Sequence, residues 1–300
     1  MNKKIILLAI TFIQCVTMNA QRLEISGSFI TKSTFKDNSN NEMGEGSMQK
    51  YTLKFNTPLS VKTDSLGRRK SWNISLHGAY GVLDNSGDAE NLNPEDILNV
   101  STNISYSAPV GKHWTIIASA GVGIYAETDN IRWESMMGNA AAMFVHSSNE
   151  RLIYGIGGGL TTKYGVPIIG PVMFLNWRLN DATELILDYV SRNKISVSHQ
   201  FSNRLRTELA LIDTEAMSAI IKVEGKSKIY SVTEMLSYLR PSYKLSKNCT
   251  LTLKAGVDWR RYSRISNRKI CDFFKNFTNK DHRYNFSPAL TIGASLRYTF

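Results

Sequence analysis

Cysteine is scarce: three residues in 300 cannot found a disulfide-stapled scaffold. Long apolar runs are missing too. Beyond residue 20 none approaches the roughly 18 residues of a membrane-spanning helix, which excludes a helical transmembrane bundle. Acidic residues are the minority, 25 against 36 Lys and Arg, giving a formal net charge of +11. The basic residues are dispersed rather than gathered in a stripe, so no nucleic-acid partner is expected. Mean hydropathy of −0.21 resembles that of a soluble protein. A transmembrane β-barrel survives that number, because its polar lumen keeps the average low.

Recognisable chemistry is equally sparse. The five histidines, His77, His113, His146, His199 and His282, show no metal-ligand spacing, and no metal or cofactor is expected. Gly121-Val122-Gly123-Ile124-Tyr125-Ala126 fits a dinucleotide fingerprint only formally, since it lies inside a strand and opens no helix. His146-Ser147, and His282 beside Asp281, lack the third group that would orient a base for nucleophilic catalysis. The chain is therefore read as having no catalytic residues and not as an enzyme.

At the N-terminus, Lys3 and Lys4 precede an apolar run from Ile5 to Val16, and Met18-Asn19-Ala20 resembles a cleavage site. Residues 1–20 read as a Sec-type signal peptide cut near Ala20-Gln21, leaving 21–300 as one domain. That domain holds 34 basic and 25 acidic residues, a balance of +9. Its thiols, Cys249 and Cys271, are expected not to pair.

What fills the domain is period-two alternation. Trp72, Ile74, Leu76, Gly78, Tyr80 and Val82 alternate with Asn73, Ser75, His77, Ala79 and Gly81. Leu251, Leu253, Ala255, Val257 and Trp259 alternate with Thr250, Thr252, Lys254, Gly256 and Asp258. These runs reach the ~9–11 residues of a tilted strand that crosses a bilayer. Strands are expected near 22–35, 48–61, 71–83, 97–109, 113–126, 138–148, 151–163, 171–179, 183–190, 194–201, 204–213, 229–245, 247–262 and 284–300. That is an all-β, antiparallel up-and-down transmembrane barrel of about fourteen strands, with twelve as the alternative count. Residues 213–228 are the soft point: they read as a loop that could hide another hairpin.

Long connections alternate with tight ones. Loops at 36–47, 84–96, 127–137, 213–228 and 264–283 are expected outside, and both termini on the periplasmic side. A three-residue turn at 180–182 sets Trp177 opposite Leu185 and Arg178 opposite Glu184, which keeps both faces consistent. Trp72, Trp114, Trp177, Phe201, Tyr243, Tyr298 and Phe300 fall beside the short turns, as an aromatic girdle at the headgroup level would.

The polar face collects charge: Lys32, Lys50, Lys54, Lys163, Arg178, Glu184, Asp188, Arg206, Glu208, Glu234, Arg240, Lys254, Asp258, Arg260 and Arg297. In a lumen these residues pair across strands or line a wet channel. Mixed signs around 178–208 favour pairing, while the basic excess elsewhere would favour anions. Gly155, Gly157 and Gly159 share the lumen face, where they shape the wall or leave room for an inward-folded loop.

Ser295-Leu296-Arg297-Tyr298-Thr299-Phe300 resembles the terminal strand of bacterial outer-membrane proteins, which the barrel-assembly machinery recognises. The stretches Gly155–Leu160, Tyr164–Pro167, Gly170–Trp177, Leu245–Asn248 and Ala255-Gly256 resemble an uncharacterised Bacteroidota outer-membrane barrel family, a domain of unknown function. That resemblance implies residence in outer-membrane lipid and brings no catalytic residues. A passive pore for a small solute is the leading expectation; a non-conducting barrel that binds a partner through its loops or turns is the alternative, and an outer-membrane enzyme comes third.

Overall fold

The computed structural model describes residues 21–163, 165–190, 192–271 and 284–300. The expected signal segment, and the pair Asp281 and His282, lie outside the described residues. Alternation becomes strand throughout: β1 (Arg22–Lys36), β2 (Glu42–Thr63), β3 (Arg69–Gly87), β4 (Asp96–Pro109), β5 (Trp114–Ala126), β6 (Met136–Asn149) and β7 (Leu152–Thr161). There follow β8 (Ile168–Arg178), β9 (Thr183–Tyr189), β10 (Asn193–Gln200), β11 (Leu205–Val223), β12 (Lys226–Lys244) and β13 (Cys249–Asn267). The last strand, β14, comes in two segments, Tyr284–Phe286 and Ala289–Thr299, parted by Ser287 and Pro288. A short helix, α1 (Asp88–Leu92), sits between β3 and β4.

Each strand pairs antiparallel with its sequence neighbours, and β14 closes the ring by pairing with both β13 and β1. Cys249 lies opposite Tyr298 on one side, and Arg22 opposite Thr299 on the other. The result is a closed fourteen-strand transmembrane barrel. Gln21 and Phe300 share one rim, here the terminal rim; the opposite one is the far rim. Cys249 and Cys271 are free thiols, and the length of β13 separates them.

Outward-facing residues form an apolar belt. Ile25, Leu53, Leu76, Ile104, Phe144, Ile156, Leu239, Leu253, Ile292 and Leu296 are all exposed. A continuous band of this kind suits hydrocarbon and not water. The expected turn geometry is found, with Trp177 opposite Leu185 and Arg178 opposite Glu184.

The wall is uneven. β11, β12 and β13 each run 19 residues, whereas β9 and β10 run 7 and 8. Residues 213–228, expected as an outer loop, are instead the extended ends of β11 and β12, joined by a two-residue turn. Glu224 and Gly225 have φ of 52° and 75°, the doubly positive pattern of a type I′ turn. Period-two reading fails here because Met217-Ser218-Ala219-Ile220-Ile221 is buried on both faces, and alternation disappears when neither face meets polar surroundings. The loops expected at 36–47 and 264–283 shrink for a related reason: β2 begins at Glu42 and β13 runs on to Asn267.

Candidate functional site

At a bulge β11 leaves its neighbour β10, while β12 stays paired with β13 as far as Lys228 opposite Asn267, so the hairpin swings inward from its β11 side. Pairing with β12 skips from Ala210 to Asp213, and Leu211 and Ile212 both turn outward. Pairing with β10 ends at Thr214. Beyond that point β11 crosses the lumen, and Ile220 makes a parallel bridge to Ala126 of β5. Asn99 of β4 donates from Nδ2 to the Ser218 carbonyl at 2.6 Å, and the Ser218 amide donates back to Asn99 Oδ1 at 3.3 Å. In a fourteen-strand ring, β4 and β11 stand seven positions apart in either direction, so this contact spans the diameter.

Both faces of the hairpin are covered. Met217, Ala219, Ile221, Tyr230 and Val232 pack on Ile30, Met48, Ala79, Leu83 and Ile97 from the inner faces of β1 to β4, and on Ala289 of β14. On the other side Ile220 and Ile229 meet Tyr125 and Met137 of β5 and β6. Each fully buried side chain of this size contributes roughly 1.5–3 kcal/mol. Gly81 makes room: a Cβ there would lie 3.1 Å from both Met217 Sδ and Met48 Cε. Tyr230 donates its hydroxyl to Asn93 Oδ1 at 2.8 Å, which ties the hairpin to the segment after α1. Ser227 donates to Glu134 Oε2 at 2.5 Å, which ties its tip to the loop between β5 and β6. That hydrogen bond, helped by Arg268, Arg132 and Lys222, holds the Glu134 carboxyl below the usual range.

Beneath this apolar packing lies a charged seam. Lys50 on β2 pairs with Glu215 and, at 2.8 Å, with Glu234, although β2 and β11 are not neighbours. The Lys50 and Glu234 side chains are only 9% and 2% exposed. Arg192, between β9 and β10, reaches Asp213 at 3.1 Å and Glu215 at 3.2 Å. Tyr238 donates to Asp213 Oδ2 at 2.5 Å, and Lys254 stands over the Tyr238 ring at 4.6 Å. Lys163 donates to the Ala216 carbonyl at 3.1 Å. The contacts of Lys50, Arg192 and Lys163 fasten the hairpin or its root to another part of the wall.

The terminal half of the lumen is organised differently, by pairs along the wall. Arg297 donates from Nε to Glu24 Oε2 at 2.8 Å, Arg206 pairs with Glu184, and Glu208 takes both Lys194 and Arg240, the latter at 2.9 Å. A cleft of about 160 Å³ at this rim is lined by Arg178, Asp181, Ala182, Thr183, Glu184, Gln200 and Arg206. Arg178 and Lys54 make no ion pair with a described residue.

Most of the expected lumen charges stand where alternation puts them: Lys54, Arg178, Glu184, Asp188, Arg206, Glu208, Lys254, Asp258 and Arg297 are on the inner face. Asp188 accepts from the Val190 amide at 2.9 Å, and buried Asp258 accepts from the Met235 amide at 3.3 Å. Arg260 is the correction. A bulge at Trp259 sets Met235 opposite Arg260 and Leu236 opposite Asp258, so Arg260 faces outward beside exposed Met235. Arg261 takes the inner position, donating to the Gly46 carbonyl at 2.6 Å and lying 3.9 Å from the Phe286 ring centroid. Sequence reasoning also missed Glu215 and Arg192, which stood in segments read as loops, and Asp213 and Lys194, which stood at the ends of expected strands.

Trp72, Trp114, Trp177, Phe201, Tyr243, Tyr298 and Phe300 are all exposed at or near the terminal rim. Rings meet there, with Trp72 and Tyr106 centroids 4.7 Å apart, and Tyr298 and Phe300 4.8 Å apart. His146 joins this outer set, 4.5 Å from Trp114 and 5.2 Å from Tyr154. Ser147, next along β6, points to the opposite face, so the two do not form a dyad. Among the described residues no His, Cys, Asp and Glu gather in a metal-binding group.

Among solved structures, the chain is similar to an outer-membrane channel from Pseudomonas putida F1, at 6% identity and a TM-score of 0.48, covering 95% of this chain and 97% of that one. It is similar also to a FadL homologue from Pseudomonas aeruginosa, at 10% identity and a TM-score of 0.42, covering 94% of this chain and 91% of that one. The NanC porin matches at 7% identity and a TM-score of 0.37, covering 93% and 100%. No curated protein matches the chain. The family model described as Domain of unknown function (DUF6268) matches residues 16–299, and the chain belongs to that family.

Proposed function

We propose that this DUF6268 member is an outer-membrane conduit for small solutes, held shut by the β11–β12 hairpin. One observation carries the reading: a hairpin, rather than the wall's own side chains, fills the far half of the lumen, while in the terminal half no such segment enters and charged and small residues share the wall with Met143 and Phe174. A barrel that needed only stability could be narrower, since about eight strands already fill with side chains. Fourteen strands enclose more space than their inner faces occupy, and a folded-in segment is a removable way to block it.

In this reading the belt lies in outer-membrane lipid, and the rings at the terminal rim sit at the periplasmic headgroups. The chain arrives by Sec-type export with cleavage near Ala20-Gln21, and the barrel-assembly machinery inserts it through the strand ending at Phe300. Its origin is taken as Bacteroidota. Transport is passive, with no catalytic step.

The test is planar-bilayer conductance of the refolded chain and of a variant in which 217–232 is replaced by Asn-Gly. The wild type is expected to be closed for most of the recording, and the trimmed barrel to show discrete, long-lived steps. Silence in both, from barrels that remain heat-modifiable, would overturn the conduit and leave a partner-binding barrel.

A further inference from the structure

The two walls of the terminal half differ in chemistry, and together they select a solute. On one side, β2 and β13 present Lys54 and Lys254 to the lumen. Lys54 stands in register between Glu24 and His77, yet the Glu24 carboxylate is taken by Arg297 at 2.8 Å. Lys254 makes no ion pair with a described residue and stands over the Tyr238 ring at 4.6 Å. Across the ring, four to seven strand positions away, the inner faces of β6 and β8 carry Met143 and Phe174. Gly155 of β7 lies between them. A Cβ there would fall 2.5 Å from Phe174 Cε1 and 3.3 Å from Met143 Sδ, so the glycine lets both side chains lie flat along the wall.

Neither wall suits a solute of one character. A path for fully hydrated solutes gains nothing from a Phe and a Met on its surface, since wetting them is unfavourable. A path for neutral apolar solutes gains nothing from lysines outside any contact ion pair, because a charge without a close partner must keep its water. We infer that the terminal half of the lumen binds small organic anions with an apolar or aromatic body, the acidic group on the Lys54 and Lys254 side and the body on the Phe174 and Met143 side. This rests on the conduit reading for its purpose, but not for its measurement.

The experiment uses the full refolded chain in detergent micelles and follows 4-fluorobenzoate by fluorine NMR line broadening, against 4-fluorobenzyl alcohol as the neutral counterpart. Unlabelled acetate competes as the anion without a body. Fluorobenzoate is expected to bind saturably, and acetate to displace it only at concentrations at least about tenfold higher than unlabelled benzoate needs. The double variant Lys54→Gln/Lys254→Gln should weaken fluorobenzoate by about tenfold or more, and Phe174→Ser should weaken it while leaving acetate unchanged. Equal broadening of acid and alcohol, equal competition by acetate and benzoate, or binding untouched by the double variant would overturn the inference. Saturable binding in a barrel whose trimmed form never conducts would keep the site and sink the conduit; conduction without acid selectivity would do the reverse.

Discussion

The two halves of the lumen are held by opposite kinds of contact. In the far half, partners come from strands that are distant around the ring: Lys50 with Glu215, Asn99 with Ser218, Met217 with the inner face of β2 and β3. In the terminal half, partners are neighbours or next neighbours: Arg297 with Glu24, Lys194 and Arg240 with Glu208, and Arg206 with Glu184 across β10. Contacts between neighbours strengthen a wall that backbone pairing already defines. Contacts across the ring fix something the wall does not, the position of a hairpin. Changes in the first group should therefore alter closure, and changes in the second should alter stability alone.

The largest break in that contrast should come from Lys50→Met. It removes the one cation shared by Glu215 and Glu234 and leaves Glu234 buried without it, a loss of about 3–5 kcal/mol for a broken buried pair. Because the wall strands keep their backbone ladders, the barrel should stay heat-modifiable while protease cuts near Glu224 and Lys226. Loss of the barrel itself would mean that the seam holds the wall and not the hairpin. Gly81→Leu should act in the same direction by about 1–3 kcal/mol, because the added side chain enters the space held by Met217 and Met48. Faster cleavage at the turn with an unchanged wall checks it.

Arg297→Gln is the control from the other half. Its partner Glu24 is 17% exposed and the arginine 32%, so water screens part of the pair and the loss should be about 1 kcal/mol or less. A small fall in Tm with no change in turn cleavage is expected. Smallest of all is the latch at the hairpin tip. The Glu134 carboxyl is held low by the Ser227 hydroxyl, so its contribution is complete above the usual carboxylate range and fades as pH falls through the depressed value. Acidification should raise turn cleavage by an acid-stable protease, and Glu134→Gln should remove that share of the pH response.

The same division explains what the sequence makes legible. The pairing of Trp177 with Leu185 and Arg178 with Glu184 follows from alternation and turn length, and so do the inner positions of Lys54, Glu208 and Lys254. Alternation is a property of a surface with two different sides. Where Met217 to Ile221 meet protein on both sides, it vanishes, and the hairpin reads as a loop. Arg260 shows the second limit: one extra residue at the Trp259 bulge inverts every side chain beyond it, and nothing in the composition of Val257–Arg261 marks the spot. The third limit is distance. Lys50 and Glu215 lie 165 residues apart, and only the inward turn of β11 brings them together.

The most direct test of the hairpin's place is a cross-link between Asn99→Cys and Ser218→Cys in a background with Cys249 and Cys271 replaced by Ser, read by mass spectrometry after mild oxidation or a short bifunctional thiol reagent. Positions on β4 and β11 stand a full diameter apart around the wall and meet only if the hairpin crosses the lumen. A high yield of the linked peptide in the folded barrel is predicted. Two thiols that stay unlinked, each freely alkylated in a heat-modifiable barrel, would contradict the account.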